Sequence, residues 1–331
     1  MMKFLANSIE QLDLALEHIL MGDANNARFG LMLVDNVVEI TLHQIAKDAQ
    51  SEMQSWMYRD KTYEHSASLQ AALGQNFEPK VKFAKKTGKL DSDSCDTIGI
   101  FHSFRNEVYH IGVMHEAILP TISRFHFKIA CDFLRGYSPL SIWFSPDMVI
   151  PARTEKYFSK SKHFLNGIEE YHSACEQLSN KLSIDSSELA TVLASHLCDV
   201  IEEQDASIEM IATGGPRTIT RNSAIKETMA WKIAFSAKSK EFAKEHGWST
   251  GSVFDFVKWI EENYPIPIRK DPIAAWQKRA QRLRQEKNSH RALKKYRDFM
   301  TQTAEIRSVI EEAHMQVERY IDEQIDRMQG K

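Results

Sequence analysis

His102-Ser-Phe-Arg-Asn-Glu-Val-Tyr-His-Ile-Gly112 closes a stretch in which Ile98, Ile100, Phe101, Phe104, Val108 and Ile111 recur at mostly three- and four-residue intervals. That period predicts a helix. Asp91 or Ser92 supplies a capping side chain at its start, and Gly112 a place to stop. Upstream, Leu12, Leu16, Ile19 and Leu20 mark a first helix over 9–20 that ends at Gly22-Asp23. Phe29, Met32, Leu33, Val37, Ile40 and Ile45 mark a longer one reaching about Met57. So short a turn makes these two helices antiparallel neighbours. The pattern weakens from Arg59 to Leu90 and returns from Val113 to Leu134 with Ile118, Ile122, Phe125 and Ile129. Four main helices are therefore expected within the first 135 residues.

The segment 136–153 changes character, with Gly136, Pro139, Pro146, Pro151, Trp143 and Phe144 reading as a loop held by aromatic anchors. Beyond it, helical patterns cover about 155–180, 186–211, 223–246, 250–263 and 271–328. The last would be roughly 87 Å long if unbroken, and Asn288-Ser289 is the expected break. The expectation is an all-α chain: a helical bundle over 1–135, a connecting loop over 136–153, and a second helical domain over 154–331 with long C-terminal helices.

Composition agrees. With 331 residues, 43% hydrophobic and 26% charged, the chain can bury a substantial core, and 13 glycines and 9 prolines are too few for a sheet with many tight turns. The four cysteines lie far apart, without a Cys-x-x-Cys pair, which fits reduced thiols and a cytoplasmic location. The N-terminus lacks an apolar run of signal-peptide length. The most apolar segment, 29–46, is interrupted by Asp35, Asn36, Glu39 and His43, so no membrane span is expected.

A net charge of −3 excludes a global polyanion-binding signature. Locally, 271–298 holds nine Lys/Arg against three Asp/Glu, and 299–331 four against seven. Within the first of these, Arg282, Arg284, Arg291, Lys294 and Lys295 are candidates for contacts to RNA phosphates. A run of five lysines, Lys80 to Lys89, has the composition of a solvated helix face, and its Lys85 and Lys86 are further candidates.

On a helix, Asn106 and His110 share a face, so the amide can orient the imidazole. Arg105 lies about 140° around from His110, so its guanidinium must curl back or the helix must end nearby. A guanidinium beside an imidazole can stabilise a phosphorane-like transition state while the imidazole moves a proton. Arg59–His65, Arg284–His290 and Arg307–His314 have similar spacing. Asn106, the apolar helix before it and Gly112 distinguish Arg105–His110 from those three. His102, one turn before Asn106, and Tyr109 are candidates for substrate contact.

Arg105-Asn-Glu-Val-Tyr-His110 resembles the HEPN superfamily, whose ribonucleases carry Arg, a polar residue, three more residues and His inside a small helical bundle. The resemblance covers about residues 1–135. It implies that Arg105 and His110 are catalytic with Asn106 in support, that RNA is cleaved by its own 2′-hydroxyl without metal or other cofactor, and that two copies of the bundle form a homodimeric cleft. It further implies a toxin or antiviral defence effector acting on single-stranded or tRNA-like RNA, with an antitoxin or regulatory protein as partner. The second domain would then serve RNA selection, dimer support or partner binding. In HEPN toxins paired with a nucleotidyltransferase, a modified tyrosine follows the histidine by two residues; here that place is Gly112, and such modification is not expected. The alternative is a non-catalytic helical scaffold. His102, His110, His115 and His126 do not have the spacing of a zinc site, and no metal is expected.

Overall fold

Gly22 ends the first helix in the left-handed conformation, at φ 79°, and Asp23 caps the second by accepting from the backbone N–H of Asn26 at 2.9 Å. The computed structural model describes residues 1–55, 63–111, 115–142, 149–158, 167–183 and 186–330, leaving aside the side chains of 110, 111 and 186. Among these residues the chain is all-α, with thirteen helices and no strand. No helix among them is long and apolar enough to cross a membrane.

Two compact units divide the chain: Met1–Leu193 with Glu286–Lys294, and Ala194–Gln285 with Lys295–Lys331. The first contains α1 (Met2–Met21), α2 (Ala24–Met53), α3 (Ser66–Ala72), α4 (Phe77–Lys86), α5 (Ser92–Ile111), α6 (Leu119–Arg135) and α7 (Gly167–Asn180). It also takes the first turns of α8 (Ser186–Thr213) and α13 (Ser289–Met328). α2 is its central element and packs against α1, α3, α4, α5 and α6. The antiparallel run of α1 and α2 is close: a Cβ built on Gly30 would lie 2.5 Å from Ile19 Cγ1, so only glycine fits that crossing without a shift. On α5, Ile98, Phe101, Phe104 and Val108 are buried as their spacing requires, and Asp91 caps the helix by accepting from Ser94 N at 2.9 Å.

Several expectations shift. The weakly patterned 59–90 stretch contains two short helices, α3 and α4, in addition to the four foreseen. α6 starts at Leu119 rather than at 113, because His115 has φ 66° and Pro120 occupies the first turn, where a missing N–H costs nothing. The helix expected from 155 begins at Gly167; residues 152–154 form a single 3-10 turn. α2 ends at Met53, with Gln54 as its C-cap, short of the expected end near Met57; Gly112, Trp143, Phe144 and Pro146 lie outside the described residues.

The described part of 136–153 belongs to the first unit rather than separating two domains. Asp13 of α1, 3% exposed, accepts hydrogen bonds from Arg153 at 3.0 Å, from Lys156 at 2.8 Å and from the Tyr157 hydroxyl. α7 buries Tyr171, Ala174, Cys175 and Leu178 and packs on α1 and α6.

The second unit holds the remainder of α8, then α9 (Arg221–Ala234), α10 (Ala237–Glu245), α11 (Val253–Asn263), α12 (Ile273–Arg284) and the remainder of α13. Ser236 caps α10 and thereby splits the pattern expected as one helix over 223–246. Between α12 and α13 the break falls at 285–288, where Asn288 accepts from Arg291 N at 3.0 Å. Arg221 gathers Asp205, Glu209 and Asp271 and ties α8, α9 and the start of α12 together.

Burial raises the Asp13 carboxyl, while hydrogen bonds from Lys156, Tyr157 and Arg153 lower it, leaving it below the ordinary value of 3.8. Its stabilisation is therefore complete above that value and lost as pH falls through the folded-state value. Asp13→Asn is expected to cost about 3 kcal/mol in urea unfolding at pH 7, and the deficit against wild type should shrink below pH 4.

Candidate active site

α5 brings His102, Arg105, Asn106 and Tyr109 to a place where α2 offers Asp35 and, one turn on, Glu39. The Asp35 side chain is 1% exposed, and its Oδ2 lies 3.0 Å from His102 Nδ1 and 3.7 Å from Arg105 Nε. Oδ1 has no hydrogen-bond partner among the described residues. A carboxylate only accepts, so the proton of this imidazole sits on Nδ1 and the acceptor nitrogen is Nε2. The ring is further held by stacking on Phe77 of α4, with centroids 3.7 Å apart and planes 3° from parallel.

Arg105 donates from Nη1 to Asn106 Oδ1 at 2.9 Å, and its guanidinium lies 5.4 Å over the Tyr109 ring. The guanidinium thus extends toward the C-terminal end of α5. With 31% of its side chain exposed, it is both oriented and reachable. Asn106 thus turns its carbonyl oxygen to the arginine. The side chain of His110, and with it the expected Asn106–His110 contact, lies outside the described residues.

Glu39 is met by Lys80 of α4, whose Nζ donates to Oε1 at 3.0 Å and to the carbonyl of Gln75 at 2.9 Å. Lys80 is buried, which corrects its reading as part of a solvated lysine face. A ligand atom from each of Asp35, Glu39 and His102 falls within 4.8 Å of the others, an arrangement that can converge on a cation. Arg105 and Lys80 already neutralise the two carboxylates, so the group reads as an ion-paired network rather than a metal-ligand set. The other histidines disperse: His115 Nε2 lies 2.9 Å from Glu107, and His126 is sealed in the core against Phe101.

The basic candidates separate. Lys85 and Lys86 are exposed at the end of α4, with Lys85 donating to Ser92 Oγ at 2.9 Å. Arg291 and Lys294 belong to the first unit, where Lys294 pairs with Asp96 of α5 at 2.6 Å. Arg282, Arg284 and Lys295 belong to the second unit, and Arg284 reaches Ser195 Oγ at 3.5 Å. Arg291 and His290 line a cavity of about 550 Å³ with Lys128, Lys287 and Phe125, while His290 Nδ1 lies 2.7 Å from Thr97 Oγ1.

Asp35, Glu39, Phe77 and Lys80 were not recognised from sequence. Asp35 carried a signal nonetheless. It lies among Leu31, Val34, Val37, Val38 and Leu42, all fully buried, and a carboxylate in such a stripe demands a partner. The chain matches no family model, no curated protein and no solved structure.

Burial pushes the His126 imidazole down to about 4, with His102 adding to the shift and Asp35 opposing it. Neither of its nitrogens has a partner among the described residues. A depressed folded-state value means that stability is full above about 6.5 and falls as pH drops from there toward 4, by about 3 kcal/mol in all. His126→Leu should flatten the dependence of urea-unfolding stability on pH across that interval.

Proposed function

We propose that this chain is a metal-independent endoribonuclease of the HEPN type, with Arg105 and His110 as catalytic groups and Asn106 in support. The observation that carries the reading is the guanidinium of Arg105, fixed by Asp35 and Asn106 yet a third exposed. A phosphate binds such a preorganised cation without the cost of ordering it. In this reading the RNA 2′-hydroxyl, deprotonated by His110, attacks the adjacent phosphorus; Arg105 stabilises the charge gathering on the non-bridging oxygens. Cleavage then leaves a 2′,3′-cyclic phosphate and a 5′-hydroxyl. Tyr109, 59% exposed, offers a ring on which an unpaired base can stack, which favours single-stranded or tRNA-like substrates.

The enzyme works in the cytoplasm as a homodimer through the α1–α6 bundle, as a toxin or antiviral effector held in check by an antitoxin or regulatory protein. The second unit serves RNA selection, dimer support or partner binding. The non-catalytic scaffold reading predicts the opposite outcome in the same assay.

Purified protein incubated with total RNA in EDTA should produce fragments with cyclic-phosphate ends. Arg105→Ala and His110→Ala should each reduce the rate by about 10²-fold or more. No cleavage by wild type, or cleavage by both variants at the wild-type rate, would sink the enzyme reading. A monomer by light scattering at assay concentration would remove the dimeric cleft.

A further inference from the structure

We propose that His102 is a second proton-transfer group of this centre: as an imidazolium it gives its Nε2 proton to the departing 5′-oxygen and keeps the Nδ1–H on Asp35, its positioning residue. The inference rests on the ribonuclease reading above and extends it. Transesterification moves two protons. One leaves the 2′-hydroxyl as the new P–O2′ bond forms, and one must reach the 5′-oxygen as the P–O5′ bond breaks. His110 accounts for the first, and a second group is needed for the second.

His102 has the properties that role demands. Its Nδ1 is occupied by Asp35 Oδ2 at 3.0 Å, which sets the tautomer and leaves Nε2 as the nitrogen that exchanges a proton. Stacking on Phe77 removes the ring's freedom to turn. Nineteen per cent of the side chain remains accessible, and among the described residues the hydrogen bond of the ring is made through Nδ1 and not Nε2. The same Asp35 oxygen lies 3.7 Å from Arg105 Nε, so one carboxylate sets the positions of both the phosphate-binding cation and the imidazole. His102 and His110 are eight residues apart on α5, about 12 Å along the axis, with Arg105 between them.

The charged and titratable groups facing His102 are Asp35 and Glu39 from α2, Lys80 from α4 through Glu39, Arg105 from α5 and His126 from α6. Glu39 and Lys80 are paired with each other. Asp35 is the group whose polar atom meets the His102 ring.

The test compares two oligonucleotides with one scissile linkage, the ordinary phosphodiester and its counterpart with sulfur in place of the bridging 5′-oxygen. Thiolate leaves without a proton, so the sulfur substrate needs no general acid. His102→Asn keeps an N–H for Asp35 and removes the atom that donates. It should cleave the oxygen substrate at least 10²-fold more slowly in kcat with little change in KM, and lose the alkaline limb of the kcat–pH profile. On the sulfur substrate it should act within about threefold of wild type. Asp35→Asn should show the same contrast between substrates, to a smaller degree. Wild-type kcat on the oxygen substrate, or an equal loss on both substrates, including loss through unfolding, overturns the proposal and makes His102 structural. If wild type cleaves neither substrate, the ribonuclease reading falls. If Arg105→Ala and His110→Ala abolish cleavage while His102→Asn does not, only the role of His102 falls.

Discussion

A carboxylate buried on the central helix is the constraint on which the first unit depends. Asp35 lies in the apolar stripe of α2 with its side chain 1% exposed, where an uncompensated ionised group would cost several kcal/mol. What compensates it comes from α5: the Nδ1–H of His102 and the guanidinium of Arg105. This requirement docks α5 on α2 in one rotational setting. Advancing α5 by one residue would swing both groups about 100° away and leave the carboxylate alone. The polar face of α5 therefore turns partly inward, toward α2, and Phe77 and the Glu39–Lys80 pair close α4 over its edge.

The same device recurs elsewhere in the chain. Asp13 draws Arg153, Lys156 and Tyr157 onto α1, and Arg221 draws three acids onto α9. Those two clusters join segments far apart in sequence, and each brings opposite charges together with hydrogen bonds on every side, the pattern of a structural tie. At Asp35 the satisfaction is incomplete. Oδ1 has no partner among the described residues, His102 retains an open nitrogen, and Arg105 is accessible to solvent. Groups that are fixed in place yet incompletely bonded are what a substrate phosphate would find useful.

Legibility in the sequence follows the same physics. α1, α2, α5 and the break before α13 were readable because a long helix repeats its buried face and its caps require particular side chains, as Asp23, Asp91 and Asn288 show. α3 and α4, of seven and ten residues, repeat too few turns to declare themselves. Lys80 was hidden for a different reason. In a row of five lysines it has the same covalent structure as its neighbours, and only the approach of Glu39 from α2 separates it from them. The extent of the first unit was obscured likewise, since prolines and aromatics mark a loop without saying which core it returns to. Asp13 and the buried face of α7 settle that in space.

By itself, then, the sequence determined an all-α chain and the helix that bears Arg105, Asn106 and His110, because periodicity and capping are properties of residues near one another along the chain. The tertiary structure alone decided which groups surround that helix. Asp35 lies 67 residues from His102 in sequence yet 3.0 Å away in space. It also turned His102 from one histidine among thirteen into a ring with a set tautomer and a fixed plane. The physical reason is that a buried charge selects its partners by distance in three dimensions, and no local pattern along the chain records that distance.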